Sequence, residues 1–205
     1  MEAMSEHTYK QFDIELESLR TRVLQMGGFV EQQVVKAMEG LLEGDLLNID
    51  RVIENDHRVN QQQIELDEAC TQIIARRQPA ANDLRTIMSV ARVVTDLERI
   101  GDEAKKIAKV ARSLAQAEVA GPPRVQMKHL GAQAVAQLRK SLDAMARLDI
   151  DAAAEVVKED RELDEQVGER KAARGRDQQQ RRPADREGRA PEDAGLHDRR
   201  LQPSE

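Results

Sequence analysis

The sequence predicts an all-α protein built as tandem three-helix bundles, of which the second is truncated. Aromatic residues make up only 1% of the chain and charged residues 34%, a composition typical of long-helix bundles. Apolar residues recur at alternating spacings of three and four, which is the period of helices packed along one another. Residues of the first half also recur 104 positions later, as Gly27 and Gly131 do, which indicates a duplicated unit.

The first helix is predicted from about Ser5 to Glu43. Gly27 and Gly28 interrupt it, so a bend is expected there. Its apolar seam should form the main contact with the other helices. The seam consists of Phe12, Leu16, Leu19, Val23, Met26 and Val30.

The second helix is predicted from about Ile49 to Arg77. Gly44, followed by Asp45 or Asn48, predicts the end of one helix and the N-cap of the next. Pro79 ends the second helix, because a residue before proline disfavours helical geometry. The apolar seam of this helix consists of Val52, Val59, Leu66 and Ile73.

The third helix is predicted between Pro79 and Leu114, with Asn82 or Asp83 as its cap. Gly101 lies in its middle, where glycine costs roughly 1 kcal/mol relative to alanine. A glycine at such a position indicates either a functional site or a close backbone approach. The predicted seam consists of Val90, Val93, Leu97, Ile100, Ala104, Ile107, Ala111 and Leu114.

A linker at Gly121–Pro123 precedes two more predicted helices, from about Arg124 to Leu148 and from about Asp149 to Glu169. They repeat the first two helices of the first unit. A counterpart of the third helix would centre near position 202, where no helical period is present. The second bundle is therefore predicted to lack its third helix and to leave apolar stripes uncovered, which favours self-association.

Three domains follow: a first three-helix bundle at 1–116, two helices of an incomplete second bundle at 124–167, and a tail at 168–205. The tail has nine arginines and almost no large apolar residue, so its few apolar atoms cannot offset the entropy cost of ordering it. Disorder is expected. Its Arg/Gly/Pro-rich composition also favours a frameshift in GC-rich coding DNA; a basic tail that contacts an acidic surface is the alternative.

Composition excludes several classes of function. A net charge of −6 argues against nucleic acid as a partner. The chain has no apolar run long enough to span a bilayer and no secretory signal, and Cys70 is its single cysteine, so a cytoplasmic protein without disulfides is expected. No phosphate-binding glycine loop, zinc spacing or catalytic triad is present. No enzyme activity is expected.

Oxygen-bearing side chains on two helix faces form the candidate site. Glu98 and Asp102 are four residues apart on the third helix, where like charges repel unless a cation lies between them. Asp56 occupies a seam position of the second helix with Asn60 one turn further, and a buried carboxylate is costly unless it is paired. If these helices pack together, the four residues could form an all-oxygen pocket for Mg²⁺, Mn²⁺ or iron.

The second unit repeats part of this pattern, with Asp160 and Asp164 at the corresponding positions. A di-iron bundle would in addition need two Glu-x-x-His pairs. Glu54 and His57 form one such pair, but the repeat places a lysine and an arginine at the equivalent positions. A solvent-facing histidine is therefore the expected interpretation of His57.

A solvated lattice of ion pairs is the alternative to metal binding. Lys105 and Lys106 follow Asp102 by three and four residues, and Arg99 precedes Glu103 by four. Pairs at these spacings lie next to each other on a helix surface and contribute little to stability. The spacing alone leaves both interpretations open.

Three segments closely resemble the PhoU family, in the same order and spacing. They are HTYKQFDIELESLRTRVLQMGGFVEQQV (7–34), DEACTQIIARRQPAANDLR (67–85) and DLERIGDEAKKIA (96–108). The resemblance covers about residues 5–167. It implies a cytoplasmic, often dimeric protein that negatively regulates phosphate uptake and the phosphate-starvation response. The implied partners are the ATPase subunit of the phosphate ABC transporter and a phosphate-sensing histidine kinase, through which alone the chain would approach the membrane.

The resemblance also implies metal clusters bound through Glu/Asp-x3-Asp motifs. Glu98 and Asp102 match this motif, and the second-helix pairs match it more weakly. The family's second ERIGD-bearing helix has no counterpart in this sequence. The complete predicted ligand set, for iron or another divalent or trivalent metal, is Asp56, Asn60, Glu98, Asp102, Asp160 and Asp164. A metal-binding or metal-storage bundle is the alternative to a non-catalytic adaptor, and a structural coiled coil is disfavoured by the proline and glycine breaks.

Overall fold

The computed structural model describes the backbone of residues 2–117 and 124–180, with side chains for 10–117 and for most residues between 125 and 168. Five α-helices account for nearly all of these residues, and no strand occurs among them, which confirms the all-α prediction. The helices are α1 (Glu2–Glu43), α2 (Leu46–Arg77), α3 (Ala81–Gln116), α4 (Arg124–Arg147) and α5 (Ile150–Gln180).

Helices α1, α2 and α3 pack pairwise against one another and enclose the core of the first bundle. The predicted seams of α1 and α2 are confirmed, because all their members are buried except Leu16, which is half-buried. At the end of α2, the Arg77 guanidinium donates to both carboxylate oxygens of Glu15 on α1, at 3.0 and 2.6 Å. This fork holds the two helices together at one end of the bundle.

The buried face of α3 differs from the predicted seam. Val94, Gly101 and Ala108 are buried, whereas the predicted Val93 and Ile100 are half-buried. Because α3 contacts both α1 and α2, its apolar stripe is wider than a two-position seam and centres between its two neighbours. The buried residues of α3 are Ile87, Val90, Val94, Leu97, Gly101, Ala104, Ala108 and Ala111.

The starts of α2 and α3 are capped differently. Asp45 caps α2 as predicted, and its Oδ1 accepts a hydrogen bond from the Asn48 backbone N–H at 3.2 Å. The predicted cap of α3 is wrong: Ala80 is the N-cap, and it makes no side-chain hydrogen bond. Asp83 lies instead in the first turn, where its charge favours the positive end of the helix dipole.

Helix α4 lies against α1 through two contacts related by the predicted duplication. A Cβ atom at Gly27 would overlap the Leu142 side chain, and one at Gly131 would overlap Met38. Gly131 and Leu142 follow Gly27 and Met38 by the same 104 positions, so the antiparallel pair α1/α4 is pseudo-twofold symmetric. Helix α1 is assigned as continuous through its glycines. The glycine thus permits close helix packing, where the sequence had suggested a bend.

The end of the described chain is more helical than predicted. Helix α5 continues to Gln180, beyond the expected end at Glu169. The chain divides into two compact units, residues 1–158 and 159–205, so α4 belongs to the same unit as the first bundle. The predicted linker at 121–123 and the tail from 181 onward lie outside the described residues. Within the first unit, the apolar side chains of Val125, Ile150 and Val157 are 84, 83 and 54% exposed.

Candidate functional site

The core of the first bundle is divided by one polar layer. Two apolar clusters lie on either side of it, and each helix passes from one cluster to the other across a single position. These positions are Gln33 on α1, Asp56 on α2 and Gly101 on α3. Gln33 and Asp56, at 2 and 7% exposure, are the buried polar residues of the described chain. The flanking apolar pairs are Val30 and Ala37, Val59 and Val52, and Leu97 and Ala104.

Lys105 of α3 supplies the cation that the buried Asp56 requires. Its ammonium donates to Asp56 Oδ2 across the α2/α3 interface. The close approach of the two helices depends on Gly101, because a Cβ atom there would lie 3.0 Å from Val59 Cγ1. Of the two expectations for Gly101, the structure therefore supports the close backbone approach. One helical turn beyond it, Lys105 reaches the Asp56 carboxylate.

Glu98 and Asp102 interact electrostatically with the Asp56–Lys105 pair. Partial burial, followed by the charges of Asp102 and Asp56, raises the pKa of the Glu98 carboxyl. The hydrogen bond to Asp56 raises the pKa of the Lys105 ammonium, and the charges of Asp56, Asp102 and Glu98 add to this effect. Three of the predicted acids, Asp56, Glu98 and Asp102, thus interact electrostatically with the Lys105 ammonium, and of these three Asp56 is in hydrogen-bonding contact with it.

Several buried oxygens of this region have no hydrogen-bond partner within the described chain. They include Asp56 Oδ1 and Asn60 Oδ1, and both amide atoms of Gln33 are unpartnered as well. Buried acceptors without a donor are costly, so the site can accept more hydrogen bonds or positive charge than Lys105 provides.

The remaining two predicted ligands belong to the other compact unit of the chain. Asp160 and Asp164 are exposed on α5, in the second compact unit. Over the described residues, no group of three or more His, Cys, Asp or Glu side chains is arranged to hold a metal ion. At Asp56, the Lys105 ammonium is in hydrogen-bonding contact with Oδ2, one of the oxygens that the sequence predicted as a metal ligand. The residues as arranged do not fit a bound metal.

The surface of α3 carries ion pairs, with one partner different from the prediction. Lys106 pairs with Glu103 at 2.8 Å, and Arg99 pairs with Asp96 at 3.6 Å. The expected Arg99–Glu103 pair is therefore wrong, because Lys106 takes the Glu103 carboxylate. All four side chains are more than 60% exposed, so these pairs contribute little to stability.

His57 behaves as a surface residue. It is exposed, and its Nδ1 lies in hydrogen-bonding contact with the backbone carbonyl of Glu54. This contact stays within one helical turn and brings no second histidine or carboxylate to the ring. The expected solvent-facing histidine is confirmed.

Lys105 and Gln33 were not identified as site residues from the sequence. Lys105 had been considered only as a neighbour of Asp102 on its own helix, whereas its partner is on α2. Gln33 had been noted only for its recurrence as Gln137 in the repeat. That recurrence was a usable signal, because a polar residue kept in the middle of an apolar seam indicates a position with a polar role.

The comparisons with known proteins agree with this fold. The family described as "PhoU domain" matches residues 23–111. A phosphate-specific transport system accessory protein PhoU homolog of Pseudomonas putida is 44% identical over 163 residues, covering 80% of this chain and 64% of that protein. The accessory protein PhoU of Escherichia coli K12 is 42% identical over 163 residues, covering 80 and 67%. The chain thus spans about two thirds of the length of these relatives.

Solved structures give the same result. The crystal structure of PhoU from Pseudomonas aeruginosa is similar with a TM-score of 0.72 and 43% identity, covering 75% of this chain and 74% of that one. The phosphate transport system regulatory protein PhoU from Streptococcus pneumoniae is similar with a TM-score of 0.68 and 28% identity, covering 75 and 72%. The matched family segment, residues 23–111, contains Asp56, Glu98, Asp102 and Lys105.

Proposed function

Because this chain belongs to the PhoU family, we propose that it is a non-catalytic accessory protein that negatively regulates phosphate uptake and the phosphate-starvation response. The observation that carries this proposal is the identity of 42 to 44% over 163 residues with proteins named phosphate-specific transport system accessory proteins. A binding role is consistent with the charged groups of the described residues, because Glu98, whose pKa is raised by partial burial and by the charges of Asp102 and Asp56, belongs to a cluster of interacting charges.

The regulation would proceed through protein–protein contacts. The proposed partners are the ATPase subunit of the phosphate ABC transporter and a phosphate-sensing histidine kinase, met on the cytoplasmic side of the membrane. Within the described ranges, every helix is too polar to qualify as a bilayer-spanning segment. An acidic chain of net charge −6 suits basic partner surfaces and does not suit nucleic acid. A homodimer is proposed from the exposed apolar residues around the start of α5.

A reporter assay in cells tests the regulatory role. The full chain is expressed in bacteria that lack their own PhoU, growing in phosphate-rich medium with a reporter for the phosphate-starvation response. We expect reporter output to fall by at least about 3-fold relative to empty vector. Unchanged output, with the protein present at a normal level by immunoblot, would contradict the proposal.

A binding experiment tests the partners separately. The purified chain is passed over immobilised transporter ATPase and over the cytoplasmic part of the kinase, with an unrelated ABC ATPase as control. Retention on the first two surfaces that weakens with added salt is expected for an acidic protein. Equal retention on the unrelated ATPase would show that the contact is not specific.

The alternative function is a metal-binding or metal-storage bundle for iron, manganese or magnesium. The family resemblance motivates it, and the unpartnered oxygens Asp56 Oδ1 and Asn60 Oδ1 are of the type that hard cations prefer, although the Lys105 ammonium contacts the same Asp56 carboxylate. Metal analysis of the purified protein distinguishes the two functions: storage requires several metal ions per chain, whereas an adaptor functions at substoichiometric metal content.

A further inference from the structure

The buried Asp56 needs a positive charge close by, and one side chain provides it. Asp56 is 7% exposed and occupies the middle of the bundle core. Lys105 Nζ donates to its Oδ2, while only 27% of the lysine side chain is exposed. The neighbouring cations of α3 are used elsewhere, since Lys106 pairs with Glu103 and Arg99 with Asp96. Lys105 is therefore the cation in direct contact with the Asp56 carboxylate.

One ammonium does not neutralise the cluster. The carboxylates of Asp56, Glu98 and Asp102 all interact electrostatically with the Lys105 ammonium. Asp56 Oδ1 and Asn60 Oδ1 remain buried without a partner. The cluster therefore retains negative charge and unused oxygen ligands, which are the properties of a site for a hard divalent cation.

We propose that Lys105 is a built-in counter-ion that occupies the cation position of the Asp56–Glu98–Asp102 cluster and suppresses divalent-metal binding there. Lysine and metal compete for the space beside Asp56 Oδ2, because an ammonium in hydrogen-bonding contact with this oxygen would repel a divalent cation bound next to it. Removal of the ammonium leaves Asp56 Oδ2 without its donor beside the unpartnered Oδ1, in the negative field of Glu98 and Asp102. This inference concerns the cluster itself and does not depend on the proposed regulatory function.

The test compares the affinity for Mn²⁺ of the purified full chain and its variants, by electron paramagnetic resonance titration of unbound Mn²⁺. We expect Lys105→Met to bind one Mn²⁺ at least about 10-fold more tightly than wild type. The matched control is Lys106→Met, which removes the same charge one residue away. The Lys106 ammonium also interacts electrostatically with Asp102 and Glu98, but its ion-pair partner is Glu103. A variant that keeps the charge, Lys105→Arg, should bind as weakly as wild type.

Two outcomes of the titrations with single variants would overturn the proposal. One is that Lys105→Met binds Mn²⁺ no more tightly than wild type. The other is that Lys106→Met gains as much affinity, which would indicate a general charge effect. To place the gained site, Glu98→Gln and Asp102→Asn are added to Lys105→Met, and the gain should then be lost. Retention of the gain would place the metal elsewhere and also contradict the proposal.

A second measurement covers the case in which Lys105→Met fails to fold. In wild-type protein, the Lys105 ammonium is observed by nitrogen-detected NMR of lysine side chains during titration with Mn²⁺. We expect its signal to persist when one equivalent of Mn²⁺ is present, because the metal is kept out. Selective loss of this signal at one equivalent would show that Mn²⁺ binds beside Lys105, and the proposal would be wrong.

Discussion

At the scale of single residues, the stability of the first bundle depends on how the charge of Asp56 is compensated. The carboxylate lies between two apolar clusters. An unpaired charge there destabilises the fold by far more than an exposed ion pair stabilises it. Breaking a buried pair by removing one partner typically costs about 3–5 kcal/mol, whereas replacing both partners by apolar groups is often neutral. The two partners should therefore not behave additively on mutation.

The first prediction tests this coupling. Lys105→Met should lower the free energy of unfolding by about 3 kcal/mol at pH 7, because it leaves Asp56 buried without its cation. Adding Asp56→Leu should recover part of that loss, because the double variant buries no charge. Urea unfolding followed by circular dichroism measures both values. Lys106→Met, at the exposed neighbouring position, should leave the urea midpoint unchanged; additive losses in the double variant would contradict the coupling.

The second prediction concerns Glu98, whose pKa is raised by partial burial and by the charges of Asp102 and Asp56. A carboxyl with a raised pKa in the folded state binds its proton more tightly there than in the unfolded chain. Its favourable contribution is complete below the unfolded pKa, which is 4.5 for a free glutamate, and is lost as pH rises through the folded value. Ionised Glu98 therefore destabilises the bundle at neutral pH.

Glu98→Gln should accordingly raise the melting temperature at pH 7, and the difference should vanish below about pH 4.5. Thermal unfolding across this pH range measures the effect. Asp96→Asn is the matched control, because Asp96 is exposed on the same helix beside Arg99. A gain for Glu98→Gln that grows toward acid pH would contradict this sign.

At the scale of helices, glycine residues determine how closely the helices of this bundle approach. The adjacent residues Gly27 and Gly28 differ only in what lies beside them. A Cβ atom at Gly27 would overlap Leu142 of α4, whereas one at Gly28 would meet nothing within 4 Å. The same sequence feature, a glycine inside a helix, thus has a packing role at one position and none at the next.

The third prediction uses this pair. Gly28→Ala should raise the free energy of unfolding by about 0.5–1 kcal/mol, because alanine is the better helix former and nothing obstructs it. Gly27→Ala should lose that gain or reverse it, since α4 must move away from α1. Urea unfolding of the two single variants provides the comparison. An equal gain at both positions would show that α4 does not lie against Gly27.

The helices also show which features a sequence can and cannot predict. The seams of α1 and α2 followed from their spacing, because each seam has one dominant direction. The predicted seam of α3 missed Val94 and Gly101, which are buried. The width of this buried face depends on where α1 and α2 lie, and the spacing of apolar residues within α3 does not indicate that. Glu98 and Asp102 were found from their charge spacing, and Asp56 from its position in an apolar seam. The Lys105–Asp56 pair was not predicted. Spacing along one helix shows which residues are neighbours on that helix, but it does not show which residues of α2 and α3 lie opposite each other.

At the scale of the whole chain, the duplication explains how α4 is held. The pseudo-twofold contacts of Gly27 with Leu142 and of Gly131 with Met38 fix α4 on α1, and Val135 and Ala144 are buried on this helix. Further along the chain, apolar side chains around the start of α5 remain exposed. Their exposure gives the first compact unit an apolar surface that can associate with a second copy.

The fourth prediction tests this surface by sedimentation velocity over a range of protein concentrations. The wild-type chain should self-associate, and Ile150→Lys with Val157→Lys should weaken the association by at least about 10-fold, because each lysine places a charge in the apolar contact. The matched control is Leu47→Lys at the start of α2, where the leucine is 71% exposed on the first bundle. The control should associate as wild type does. A wild-type chain that stays monomeric at all concentrations, or a control that is weakened equally, would show that the residues around the start of α5 do not form the contact.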